Sequence, residues 1–121
     1  ARAENHVRGV DDLDDTIARL VAYRDAGADC VYAPWLLELG RIERVVRELG
    51  VPVNVLAVPD GPAVPELERV GVRRVSTGSL VAGAAYWALE RAARELRGEG
   101  TSEYARTRLT PDLMRAAFRD S

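Results

Sequence analysis

The sequence has few cysteines, no long apolar run and no excess of basic residues, and each of these absences argues against a class of protein. Its 121 residues include a single cysteine, Cys30, so no disulfide can form within the chain, and this usage is typical of a reducing, cytoplasmic setting. No apolar run approaches the ~20 residues that a membrane-spanning helix needs. The 17 basic residues nearly balance 19 acidic ones, and the formal net charge of -2 argues against a nucleic-acid partner and an anionic membrane surface.

Phosphate-binding motifs are missing as well, since neither G-x-G-x-x-G nor a Walker A pattern occurs. The nearest feature is S-T-G-S at residues 76–79, at a predicted strand-to-helix turn. Backbone N–H groups there can hold an anion, although a plain helix cap explains the same residues. What the sequence does have is 47% apolar residues, enough for the core of one compact domain, and we interpret Cys30 as a buried structural residue of that core.

Three glycines divide the first part of the chain into similar units. Gly27, Gly50 and Gly71 lie 23 and 21 residues apart. Each is preceded by a segment with helical apolar spacing and followed by a short apolar run, at residues 30–33, 53–58 and 72–76. A repeat of about 22 residues is the length of one strand-helix unit with short loops.

Helices and strands therefore alternate, which predicts an α/β fold with a parallel sheet and right-handed crossovers. Two more helices are expected, over residues 80–97 and 111–118, and Thr110 is the N-cap of the second. The sheet is either an open doubly wound sheet or part of a closed barrel. A Gly-rich phosphate loop, which would favour the open sheet, is absent.

The order of short motifs resembles the isocitrate lyase/phosphoenolpyruvate mutase family, in particular its small bacterial members. Residues 1–4 (A-R-A-E) are similar to the family's A-R-[TV]-[DE] strand end, and residues 11–29 to its LDEAIERA-AY-AGAD helix and strand. Residues 52–57 (P-V-N-V-L-A) and 67–75 (L-E-R-V-G-V-R-R-V) match its P-NVLA and LGVRRVS segments. The match is collinear from residue 1 to about residue 100.

The resemblance implies the C-terminal half of a TIM (β/α)8 barrel, from the end of strand 5 through helix 8, plus a C-terminal helix. Residues 1–100 would form the half barrel and residues 101–121 a tail with a short helix. Because the chain begins on alanine, we expect it to be a piece of a longer protein. Active sites of such barrels lie at the carboxyl ends of the strands.

Family members act on small 2-oxo-acid-related carboxylates with Mg2+, as C–C or P–C bond lyases or mutases, including methylisocitrate lyase-like enzymes. The resemblance therefore implies such an enzyme and the cofactor Mg2+. The family's metal-binding aspartates and mobile catalytic loop belong to the first half of the barrel, so no metal ligand is expected in this chain. As an isolated chain, it is expected to be inactive.

Five residues are candidate substrate contacts by this resemblance or by their position at strand ends. Arg2 matches the arginine that binds a substrate carboxylate, and a guanidinium can do so bidentately. Glu4 would orient Arg2 or reach a metal-bound water, unless the two residues form only a structural ion pair. Asn54 lies within a predicted strand and faces either the interior or the helices, while Ser76 and Thr77 end the last strand and are expected to contact substrate oxygens.

Other polar residues are given structural interpretations. Pro34 stands where the lyases carry a glutamate and phosphonopyruvate-related members a histidine, which argues against isocitrate cleavage and the mutase reaction in their usual forms. Trp35 is expected either to line an apolar pocket or to pack against neighbouring residues. His6, the single histidine, is interpreted as a surface residue, and the aspartates at residues 11, 12, 14 and 15 as a helix-dipole and solubility feature.

Two further hypotheses remain open beside the enzyme. A half barrel exposes two sheet edges and an apolar interior, so the chain is a candidate for a noncatalytic fragment that folds by self-association or with a complementary half. The other is an independent α/β domain that binds an anion at residues 76–79. The expected partners are a small carboxylate and either identical subunits or a complementary half-barrel, and residues 101–121 are expected to pack on a neighbouring subunit.

Overall fold

The computed structural model describes residues 1–119, which form two compact units, Ala1–Gly78 and the segment that begins at Ser79. In the first unit the elements are a 3-10 helix (His6–Arg8), α1 (Leu13–Asp25), β1 (Val31–Tyr32), α2 (Leu39–Leu49), β2 (Val53–Leu56), α3 (Val64–Arg69) and β3 (Arg74–Ser76). In the second unit they are α4 (Leu80–Gly98), a 3-10 helix (Glu103–Thr107) and α5 (Pro111–Ala117).

The helix ends of the first unit are set by local chemistry that the sequence displays. The Asp12 carboxylate accepts a hydrogen bond of 2.9 Å from the Asp15 N–H and caps α1. Gly50, with φ of 65°, takes the left-handed conformation directly after α2, as Gly27 does two residues after α1 with φ of 101°. Because such φ values are easy only for glycine, the predicted ends of these helices are confirmed to within two residues.

The three strands form one parallel sheet in the order β1-β2-β3. Val31 pairs with Val53, and Val55 with Val75. Ahead of β1, Arg2 forms an isolated parallel bridge with Tyr32, so the chain start runs alongside the sheet as a fourth, one-residue strand. The predicted α/β fold with a parallel sheet is confirmed, and the described strands show none of the order reversal that defines a doubly wound sheet.

The strands lie in the sheet in the same order as in the chain, and this order determines where the helices pack. Right-handed crossovers between successive neighbours place α2 and α3 on the same face of the sheet. The core accordingly joins that face to the helices, and its largest fully buried side chains are Leu20, Ile42, Leu49, Leu67, Val31, Val45 and Thr16. The opposite face carries the candidate site, and polar residues such as Asn54 and Ser76 lie there together with Leu56.

In the second unit, the carboxylate of Glu95 organises the loop after α4. It accepts hydrogen bonds from the Thr101 hydroxyl at 2.6 Å and from the backbone N–H of Glu103 and Tyr104 at 2.6 and 3.1 Å. These donors, Thr101 first, lower the pKa of Glu95. Thr110 caps α5 by accepting from the Leu113 N–H at 3.3 Å, as predicted. Among residues 1–119, no helix is long and apolar enough to cross a membrane.

Several predicted details differ in the structure. The strands are shorter than the apolar runs, because only the paired residues of each run join the sheet. The two 3-10 helices were not predicted, and Cys30 is partly exposed, so the buried-core interpretation of this residue was wrong. The division after residue 100 stays a prediction, as does the C-terminal tail, of which residues 120 and 121 lie outside the described part.

Candidate functional site

One register row crosses the face of the sheet opposite the core. Arg2 pairs with Tyr32, Tyr32 with Asn54, and Asn54 with Arg74. Partners in a parallel sheet point their side chains to the same face, so these four residues stand side by side on neighbouring strands. The next position of β3 on this face, two residues on, is Ser76. The structure therefore brings the predicted residues Arg2, Asn54 and Ser76 to one face.

Arg2 is held at one end of this row by two contacts. Its Nε donates a short hydrogen bond to the Glu4 carboxylate, and its Nη2 donates to the second carboxylate oxygen at 3.2 Å. The guanidinium also lies over the ring of Tyr32, 5.6 Å from the centroid. The hydrogen bond to Glu4 raises the pKa of Arg2.

The ion pair leaves Arg2 able to bind an anion. A guanidinium has five N–H groups, and Glu4 takes one on Nε and one on Nη2. The end of the guanidinium formed by its two Nη atoms retains donors in the fork geometry that fits a carboxylate. Glu4 thus fixes the orientation of Arg2, and Arg2 is more than half exposed to an incoming ligand.

Asn54 is a buried polar residue in the middle of the row. Its side chain is 2% exposed, and its Nδ2 donates to the Ser76 Oγ at 2.9 Å. The amide oxygen Oδ1 is buried without a hydrogen-bond partner within the described structure. Exchanging the amide oxygen and nitrogen would move the unpaired position to nitrogen, so one amide atom stays unmatched either way.

The bond between Asn54 and Ser76 has a chemical consequence. A serine hydroxyl has one proton and two lone pairs, and here the oxygen accepts from the amide. Its own proton is then available to a neighbouring acceptor, such as a ligand oxygen. Thr77 follows directly and is exposed; it was predicted to end the strand but lies one residue beyond β3, at the carboxyl edge of the sheet.

The turn after β1 carries a strained residue at the same edge. The Leu36 N–H bonds to the Ala33 carbonyl at 3.2 Å, and Pro34 and Trp35 occupy the two central positions. Trp35 has φ of 66°, a conformation that a bulky residue rarely adopts, and its side chain is 54% exposed. Pro34 is buried, so Trp35 is the side chain that this turn presents to solvent.

His6 lies in a different setting from the one predicted. Its side chain is only 7% exposed, with Nδ1 3.7 Å from Asp11 and Nε2 3.5 Å from the Thr16 hydroxyl. Burial, with the nearby charge of Arg41, lowers the pKa of His6, against a smaller opposing effect of Asp11. The surface interpretation was therefore wrong, and these contacts give His6 a structural role beside α1.

Each of the four aspartates at the start of α1 has a partner in the structure. Asp11 pairs with Arg41 at 2.6 Å and Asp14 with Arg44 at 2.7 Å. Asp12 is the N-cap already described. Asp15 accepts from Arg19 and from the Asn5 amide, both at 2.6 Å, and these bonds lower its pKa.

A divalent metal does not fit the residues that the structure describes. Within residues 1–119, no group of three or more His, Cys, Asp or Glu side chains is close enough together to hold an ion. Glu4, the carboxylate nearest the row, is already paired with Arg2. No metal ligand set can therefore be assembled from the described residues.

Two members of the row were missed by the sequence analysis. Arg74 lay in a predicted strand, and Tyr32 in another, but neither was identified as a site residue. The only available signal was position, since both belong to strands that end near predicted contacts. Register between strands joins residues 20 or more positions apart, and a single sequence does not display it.

The chain matches a known protein family over most of its length. A family model described as phosphoenolpyruvate phosphomutase matches residues 1–97, and the chain belongs to that family. It is thus a member of the superfamily of phosphoenolpyruvate mutase and isocitrate lyase-type lyases and mutases, as the residues had indicated.

Individual relatives agree with this assignment. Two uncharacterized proteins of Mycobacterium tuberculosis, from strains CDC 1551 / Oshkosh and H37Rv, are each 41% identical over 83 residues, which is 69% of this chain and 32% of theirs. A crystal structure of a protein from Burkholderia cenocepacia J2315, assigned provisionally as a lyase/mutase, has a TM-score of 0.85 and 46% identity over 98% of this chain and 44% of that one.

Two structures of named enzymes are also similar. The structure of 2,3-dimethylmalate lyase has a TM-score of 0.75 and 26% identity, over 99% of this chain and 43% of that chain. The structure of oxaloacetate acetylhydrolase in complex with the product oxalate has a TM-score of 0.73 and 25% identity, over 93% and 38% of the two chains. The chain therefore spans about a third of its curated relatives and less than half of these solved structures.

Proposed function

We propose that the protein to which this chain belongs is a C–C or P–C bond lyase or mutase that acts on a small 2-oxo-acid-related carboxylate. The observation that carries the proposal is the oriented Arg2. Its guanidinium is fixed by Glu4 and Tyr32, and the end formed by its Nη atoms remains able to grip a carboxylate. Similar chains that include a dimethylmalate lyase and an oxaloacetate acetylhydrolase favour the same substrate class.

Each of the five predicted residues has a role in this proposal. Arg2 binds the substrate carboxylate, and Glu4 positions Arg2. Ser76 donates its hydroxyl proton to a substrate oxygen, and Asn54 positions Ser76 by donating to its Oγ. Thr77, exposed at the end of β3, is a further substrate contact.

The finer fold and the cofactor belong to the same proposal. The strand order, the helices on one face and a coverage of 44% or less of the similar structures support the C-terminal half of a (β/α)8 barrel. Mg2+ would polarise the substrate in the complete enzyme. Its ligands would come from outside residues 1–119, so this chain contributes the carboxylate-binding side of the site.

The test is turnover by the intact protein with Mg2+, using 2,3-dimethylmalate and oxaloacetate as substrates. Arg2→Gln should lower kcat/KM for the accepted substrate by at least about tenfold, because one charged hydrogen-bonded contact contributes about 1.5–3 kcal/mol. Arg8→Gln is the matched control, since Arg8 is an exposed arginine of the neighbouring 3-10 helix. Equal activity of the two variants would contradict the assignment of Arg2.

A second candidate function is a noncatalytic half barrel that assembles with another copy or a complementary half. The observation that favours it is the exposure of large apolar residues on α4, namely Leu80, Val81, Tyr86, Trp87, Leu89 and Leu96. Sedimentation equilibrium of the chain at several concentrations tests it. Self-association without turnover supports this candidate, and a monomer at all concentrations contradicts its self-associating form.

A further inference from the structure

Arg74 has no assigned role, yet it occupies the opposite end of the register row from Arg2. It pairs with Asn54 across β2 and β3, and its side chain is exposed on the polar face of the sheet. Within residues 1–119 its guanidinium makes no ion pair and no hydrogen bond, whereas Arg2 is bound by Glu4. The positive charge of Arg74 at one end of the row is therefore unpaired within the described structure, whereas the charge of Arg2 at the other end is partly neutralised by Glu4.

The spacing across the row suits one small ligand. Neighbouring strands lie about 4.8 Å apart, so the strands of Arg2 and Arg74 are about 14 Å apart across the row. Arg2 leans inward, because its guanidinium lies over the ring of Tyr32 on the next strand. From there to the strand of Arg74 is about 10 Å, a gap that a second long side chain narrows further.

The floor between the two arginines is uncharged. Tyr32 is partly buried and Asn54 is buried, and neither carries a carboxylate that would compete for the guanidinium groups. The carboxylate of Glu4, which is paired with Arg2, lies at the Arg2 end of the row. A ligand with an anionic group at each end would thus find a donor fork at each end of the row.

We propose that Arg74 forms a second anion subsite and makes the site selective for small dianions over monoanions. This inference rests on the proposed function, in which Arg2 binds the first carboxylate. Arg74 then binds the carboxylate or other anionic group at the far end of the same molecule. A ligand that lacks this second group engages Arg2 alone and leaves Arg74 in water.

The test compares malate with 2-hydroxybutyrate, which differ by a carboxylate in place of a methyl group. Dissociation constants are measured by titration calorimetry with the intact protein and Mg2+. The wild type should bind malate more tightly by about tenfold, the size of one charged hydrogen-bonded contact. Arg74→Gln should remove this preference and leave the affinity for 2-hydroxybutyrate unchanged, while Arg74→Lys should keep part of it.

Arg73→Gln is the matched control. Arg73 is the adjacent residue, is also exposed, and lies outside the row. Because it is an arginine too, its replacement changes the net charge by the same amount. If Arg73→Gln and Arg74→Gln reduce the malate preference equally, the effect is one of general charge and the subsite is overturned. Unchanged melting temperatures of the two variants show that folding is not the cause.

Arg2→Gln separates this inference from the proposed function. If it weakens the binding of both acids but the wild type shows no preference for malate, the subsite fails and the function of Arg2 stands. If Arg2→Gln changes neither affinity, or the wild type binds neither acid, the proposed function fails and the subsite with it.

Discussion

Replacing Asn54 with leucine is expected to stabilise the fold and to weaken the site. Asn54 is 2% exposed, and one atom of its amide has no partner. An unsatisfied buried polar atom costs about 1–3 kcal/mol, and the hydrogen bond to Ser76 that is lost contributes about 1 kcal/mol. Since leucine has a similar shape and adds buried apolar surface, we expect the free energy of unfolding to rise by about 1 kcal/mol.

Urea unfolding followed by circular dichroism measures this change. Ser76→Ala is the matched control, because it removes the hydroxyl and leaves the buried amide donor unpaired as well, which should lower the free energy of unfolding by about 1–3 kcal/mol. A loss of more than about 1 kcal/mol in Asn54→Leu would refute the reasoning. It would mean that the amide oxygen is satisfied in solution, and that the polar residue is retained for stability.

Three further predictions concern other parts of the first unit. Asp12→Ala should lower the free energy of unfolding by about 1 kcal/mol, whereas Asp12→Asn should preserve it, because both carboxylate and amide cap a helix. Trp35→Gly should raise the free energy of unfolding by up to about 1 kcal/mol by relieving the positive φ, and a clear loss in urea titrations would show that the side chain packs. His6→Gln should flatten the pH dependence of stability, because burial lowers the pKa of His6. The contribution of neutral His6 to stability is fully present above its unfolded pKa of about 6.5 and is lost as the pH falls toward the lower folded value. The free energy of unfolding is measured between about pH 8 and pH 5.5 for both proteins. An equal dependence on pH in wild type and variant would contradict this role of His6.

Helix ends were the part of the fold most open to prediction. Gly27, Gly50 and the capping residues Asp12 and Thr110 act on their immediate neighbours, so the signal and its effect lie within one turn of the helix. Strand bounds were less predictable. The apolar run at residues 53–58 exceeds β2 because a strand ends where its partner does, and the partner is distant in sequence.

Only part of the site was predicted, and the reason is again the distance in sequence between residues that meet in the fold. Arg2 and Glu4 are two residues apart and stood out by resemblance to a family motif, and they are indeed bonded to each other. Arg74 carries no motif of its own and gains its meaning from its pairing with Asn54. His6 shows a different error, since a histidine in a polar segment gave no sign of its burial or of its contacts with Asp11 and Thr16.

Successive residues of β2 are constrained by different requirements, one set by packing against the helices and the other by recognition at the site. Val53 and Val55 face the helices and must remain apolar and of similar volume, whereas Asn54 between them faces the other side of the sheet and donates to the Ser76 hydroxyl. Substitutions at such positions can change which molecule is recognised without loss of the fold, so new specificities are accessible by single mutations. An insertion of one residue within β2 would have the opposite effect, because it would exchange the two faces and disable both properties at once.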